Sequence, residues 1–99
     1  MAARHQPIHP GEILREEFLV PLGLSMYRLA KETGMPADRV GRLVKGTRSF
    51  SADTALRLSR YFGTSPEFWL NLQIRYDLEV ASDRAGTAIN RRVKPFRAA

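Results

Sequence analysis

The chain has 99 residues, no cysteine and a formal net charge of +6, with a sequence pI of about 10.5. That length suits one domain with a small core and is too short for a buried multi-part active site. The missing cysteines exclude disulfides, thiolate zinc sites and cysteine nucleophiles, and make a cytoplasmic protein the expectation.

The basic balance favours a polyanion as partner. No apolar run approaches the ~18 residues of a membrane span, and the opening MAARHQPIHP lacks the apolar stretch of a secretory signal. Residues 1–9 read as a flexible N-terminal arm, small and polar, with Pro7 and Pro10 discouraging helix. Within it, Arg4 and His5 either stay disordered or touch a phosphate or a partner.

Helix 1 is expected from Pro10 to about Val20, with Glu12 suiting the dipole of its first turn and Pro21 stopping it. Ile13, Leu14 and Phe18 would face the core. Glu12, Glu16 and Glu17 share the outer side, an acidic patch on a basic chain. It is a merely solvated face or a contact for a partner.

The stretch from Met26 to Lys45 reads as two short helices around a turn at Gly34. Ser25 can accept a free N–H at the start of helix 2. Ala30 is small enough for a close crossing. Gly34 can take the left-handed conformation that ends a helix, Met35 plugs the turn, and Pro36 opens helix 3, which Gly46 closes. Small residue, glycine and apolar residues at these offsets describe a helix-turn-helix.

With Val40, Leu43 and Val44 pointing inward, helix 3 would present Ala37, Asp38, Gly41, Arg42 and Lys45 to the major groove of double-stranded DNA. Arg42 is the best base reader, because its planar fork matches the two acceptors of guanine. Ala37 suits a thymine methyl, and Asp38 either accepts from cytosine or orients a neighbouring arginine. Gly41 weakens the helix by ~1 kcal/mol relative to alanine. Close approach of DNA or close packing of another helix would explain it. Phosphate contacts are expected from Ser25, Tyr27 and Arg28 at the start of helix 2, from Arg39, and from the polar loop Thr47, Arg48 and Ser49.

Ser51 caps helix 4, which carries Ala55, Leu56, Leu58 and Phe62 and ends at Gly63. Ser65-Pro66-Glu67 starts helix 5, expected to reach about Ser82. At about 100° per residue, Trp69, Leu72, Tyr76 and Val80 form one stripe of it, and Leu70, Ile74, Leu78 and Ala81 another. A helix at the edge of a small domain needs one apolar face. The surplus predicts a homodimer interface drawn from Trp69, Leu70, Ile74, Leu78 and Ala81, unless the C-terminal tail covers it. Residues 84–99 read as that tail, with Arg84, Arg91, Arg92, Lys94 and Arg97 unopposed by acid, solvated or gripping phosphate or a partner.

No segment has the alternation of a strand, so the fold class is all-α, five helices spanning 10–83. Both histidines, His5 and His9, fall in the arm, and HPGE lacks the second histidine of a zinc-binding H-E-x-x-H helix. Neither a metal centre nor an enzyme is expected, and no cofactor.

HPGEILREEFLVPLGLS, the helix-turn-helix and SADTALRLSRYFGTSPEFWLNLQIRYDLEVA together resemble the HigA/VapI-type antitoxins, a branch of the Xre/Cro-like (lambda-repressor-like) DNA-binding proteins. The most specific string is TALRLSRYFGTSPEFWLNLQ. The resemblance implies a homodimer on a palindromic operator that represses its own operon. It also implies tight binding to a small HigB-type ribonuclease toxin encoded beside it. The alternative within the binding class is a solitary phage-type or regulatory repressor without a toxin.

Overall fold

The computed structural model describes residues 6–97, and the expectations for Arg4 and His5 lie outside the described residues. Five helices follow one another, with no strand among the described residues. They are α1 (residues 10–22), α2 (Met26–Thr33), α3 (Ala37–Lys45), α4 (Ala52–Phe62) and α5 (Pro66–Arg92).

Side chains set most of the helix starts. The Oγ atoms of Ser25, Ser51 and Ser65 accept the N–H groups of Arg28, Thr54 and Phe68 at 3.0, 3.3 and 3.1 Å. Each satisfies a backbone donor that its helix would otherwise leave unpaired. His9 does the same for α1, its Nδ1 accepting the Gly11 N–H at 2.9 Å. Pro36 stands one residue outside α3, as its cap in extended conformation.

Pro21 does not stop α1. The helix widens to a π-helical stretch over Leu14–Leu19, where the Val20 N–H bonds five residues back to the Arg15 carbonyl. A proline ring clashes with the carbonyl four residues earlier in a regular helix. The wider turn relieves that conflict, so the chain continues through Pro21 to Leu22 and ends at Gly23 in the left-handed conformation.

The core centres on Trp69, which is fully buried. Phe18, Phe50 and Phe68 surround it with ring centroids 5.1, 5.7 and 4.9 Å away, and its indole N–H donates to Thr64 Oγ1 at 2.9 Å. Leu14, Leu29, Val40, Leu43 and Leu58 complete the interior. Trp69 is therefore corrected from the dimer interface to the core: a side chain with no accessible surface offers nothing to a second chain.

α5 is longer than the sequence suggested, running to Arg92 rather than to about Ser82. At 1.5 Å per residue it spans ~40 Å, most of the 57 Å long axis of the molecule. The change to basic composition after Asp83 is not a helix stop. Pro95 supplies the real limit, since the residue before a proline avoids helical geometry, and Val93 is already extended. Arg91 and Arg92 lie in the last turn, where cations suit the helix dipole. Half of the expected tail is thus helix. The expected arm is corrected at its inner end too, because His9 is half-buried and packed on Tyr76.

Candidate nucleic-acid interface

α2 and α3 meet at Gly34, which takes φ 70° and so turns the chain where a side chain would be strained. Met35, buried below the turn, holds the two helices together. Leu29 and Ala30 of α2 and Val40 and Leu43 of α3 face inward. One side of α3 is left open, carrying Ala37, Asp38, Arg42 and Lys45 exposed and Gly41 half-exposed.

Two observations bear on this face. A methyl group added at Gly41 would meet nothing within 4 Å, so no neighbouring helix requires the glycine. Asp38 pairs with an arginine, its carboxylate lying 3.1 Å from Nε of Arg42 one turn on.

The expected phosphate residues divide into three groups. Ser25, Tyr27, Arg48 and Ser49 are exposed. Ser25 Oγ accepts the Arg28 N–H as a cap, which leaves its own proton to donate outward. Arg28 and Thr47 are exposed but engaged. The Arg28 guanidinium bonds Glu32 at 2.9 Å, and the Thr47 hydroxyl donates to the Arg42 carbonyl at 3.3 Å, closing α3. The Tyr61 hydroxyl also donates to Glu32, and that bond, with the one from Arg28, holds the carboxyl below the usual range.

Arg39 forms the third group and is corrected. Its guanidinium donates to Asp53 at 2.8 Å and its side chain keeps only 20% of its surface, so it ties α3 to α4 rather than facing a phosphate. Asp53 also accepts from Arg57 at 2.9 Å. Arg39 first and Arg57 second hold its carboxyl below the usual value.

Two positioning residues escaped the sequence reading. Arg57 reaches back to the turn, its Nη1 donating to the Thr33 carbonyl at 2.9 Å, and so caps the C-terminus of α2. The only sequence signal was its i,i+4 spacing from Asp53. Gln73, buried on α5, accepts the Phe50 N–H at 2.7 Å and donates to Asp77 at 2.9 Å. It pins the loop that follows α3 to the long helix.

On α5 the stripe of Leu72 and Tyr76 packs inward, whereas Ile74 and Leu78 are exposed by 55% and 65%. Ala81 is exposed and Leu70 half-buried beside them. Among the described residues no group of His, Asp or Glu gathers as metal ligands, and no helix is long and apolar enough to cross a membrane.

Residues 14–69 match the helix-turn-helix family. Virulence-associated protein I of Dichelobacter nodosus is 54% identical over 74 residues, covering 75% of this chain and 68% of that protein. An addiction module antidote protein of the HigA family from Coxiella burnetii superposes with a TM-score of 0.88 at 49% identity, over 93% of this chain and 100% of the other. Antitoxin HigA of Pseudomonas aeruginosa, solved with the higBA promoter, gives 0.89 at 45% identity, over 92% and 99%. These likenesses place the chain in a family of DNA-binding regulators rather than of enzymes. It belongs to the HigA-type antitoxins, DNA-binding proteins of the helix-turn-helix family.

Proposed function

We propose that this chain is a cytoplasmic antitoxin and autorepressor. Two copies pair through Leu70, Ile74, Leu78 and Ala81 of α5 and set their α3 helices into major grooves of a palindromic operator. Arg42, held by Asp38, reads guanine; Ala37, Gly41 and Lys45 line the same groove wall. Ser25, Tyr27, Arg28, Thr47, Arg48 and Ser49 take the flanking phosphates. Arg28 does so in competition with Glu32. The observation that carries this reading is the open face of α3, where a methyl group added at Gly41 would meet nothing within 4 Å and charged side chains flank it.

The same dimer binds and neutralises a small ribonuclease toxin. The exposed Glu12, Glu16 and Glu17 of α1 suit a basic partner, and among the described residues Arg15 pairs with Glu16, at 3.0 Å. The alternative is a solitary repressor, which the overall charge of +6 favours over a protein made to hold a basic toxin.

A gel shift with the DNA upstream of the chain's own reading frame tests both halves, run with and without the neighbouring gene product. A specific shift is expected, with a further complex when the neighbour is added. No shift above that of scrambled duplex ends the operator claim. A shift indifferent to the neighbour leaves the solitary repressor.

A further inference from the structure

Several segments meet at His9. Its Nδ1 caps α1 through the Gly11 N–H. Its ring stands edge-on to Tyr76 of α5 with centroids 4.9 Å apart, and to Phe50 at 6.0 Å. A methyl group added at Gly46, which closes α3, would lie 3.3 Å from the imidazole Cγ, so ring and glycine are already in packing range. The ring therefore sits beneath the loop 46–49, whose outer side carries exposed Thr47, Arg48 and Ser49. Gln73 fixes the far end of that loop at Phe50.

This arrangement has a physical consequence. A short loop that starts with a left-handed glycine (φ 80°) has little stiffness of its own. Contacts made by such a loop gain affinity only to the extent that the loop is ordered before binding. Two supports order it from below, the His9 ring at its start and the Gln73 amide at its end.

We propose that His9 is a positioning residue for DNA binding: its ring props the 46–49 loop so that Arg48 and Ser49 meet the phosphate backbone without reordering. The inference rests on the DNA-binding reading above and adds to it a residue that touches no DNA.

The test separates the ring from the cap. Asparagine is a good N-cap, so His9→Asn keeps the start of α1 and removes the ring. His9→Phe keeps a ring and removes the cap. Affinity for the upstream duplex is measured by fluorescence anisotropy across a salt series, beside the melting temperature of each variant. His9→Asn is expected to bind about tenfold more weakly, with a salt slope shallower by about one unit, as for one lost phosphate contact. His9→Phe is expected to melt lower yet bind with more of the native affinity than His9→Asn. Arg48→Ala combined with His9→Asn should bind less weakly than the two separate losses multiplied together would give.

Native binding by His9→Asn overturns the proposal, as do losses that multiply in the double variant. A loss in His9→Phe as large as in His9→Asn does so too. Absence of binding by the unchanged chain overturns the DNA reading itself, and the proposal with it.

Discussion

Gly11 of α1 lies directly against the backbone of Leu43 in α3. A methyl group added at Gly11 would fall on the Leu43 carbonyl oxygen and stand 3.1 Å from that of Val44. The last turn of α3 is thus seated on the first turn of α1 by backbone contact.

Gly11→Ala should therefore destabilise the fold, although alanine is the better helix former. Neither partner atom is a flexible side chain, so the helices must part. The cost of such overpacking is about 1–3 kcal/mol, several degrees in melting temperature for a domain of this size. Thermal unfolding followed by circular dichroism checks it. An unchanged or raised midpoint would show that α1 and α3 separate freely.

Gly41→Ala should do the opposite. With open space around it, the added methyl group gains helix propensity worth about 0.8–1.0 kcal/mol and raises the midpoint. Operator affinity should fall at the same time, because the methyl group occupies the surface proposed for the duplex. A variant both more stable and equally tight on DNA would remove Gly41 from the interface.

Arg42 and Arg48 should differ in kind. Arg42→Ala is expected to cost about 1–3 kcal/mol on the operator and to relax preference at one base pair. Arg48→Ala should weaken operator and scrambled duplex alike and flatten the salt slope by about one unit. Titrations against a set of single-base operator variants distinguish the two. Equal loss of sequence preference in both variants would erase the division between base and phosphate contacts.

Much of this architecture was legible because local chemistry wrote it. Ser25, Gly34, Gly46, Ser51, Gly63 and Ser65 mark helix ends through interactions within a few residues, and the inward set of α3 follows from period alone. What escaped depends on contacts distant in sequence. Arg57 and Thr33 are 24 residues apart, Gln73 and Phe50 are 23, and nothing near either residue announces the pairing. Arg39 looked like a surface cation until Asp53, 14 residues on, claimed it. Trp69 shares α5 with two apolar stripes, and only the packing of Phe18, Phe50 and Phe68 decides that it belongs inside. Pro21 misled because a π-helical stretch has no sequence mark comparable to a cap.

The exposed pair Ile74 and Leu78 gives a test of pairing independent of DNA. Leu78→Asp puts a charge on a stripe already open to solvent, so a lone chain should keep its melting temperature while a dimer should dissociate. Light scattering after size exclusion is expected to read twice the chain mass for the native protein and the single mass for the variant. Trp69→Ala is the contrast, expected to lose about 3–5 kcal/mol of stability whatever the oligomeric state. A native monomer at micromolar concentration would end the dimer proposal.

His9 makes stability depend on pH near neutrality, and the sign follows from its surroundings. Burial lowers its pKa from 6.5, opposed by the Asp77 carboxylate and by the backbone of Arg48. A protonated Nδ1 also could not accept the Gly11 N–H. The unfolded chain therefore binds a proton at a pH where the folded chain resists it, and stability rises with pH in that interval. The contribution is whole above about pH 7 and is lost as pH falls below 6.5. It levels off once the folded imidazole is protonated as well. Glu32 and Asp53, whose carboxyls are held below 4.5 and 3.8, add a separate loss only at lower pH. Urea midpoints at pH 7.5 and 5.5 should therefore differ for the native chain and coincide for His9→Asn, which keeps a cap that does not titrate. Equal midpoints in the native chain would mean that the imidazole takes its proton as readily folded as unfolded.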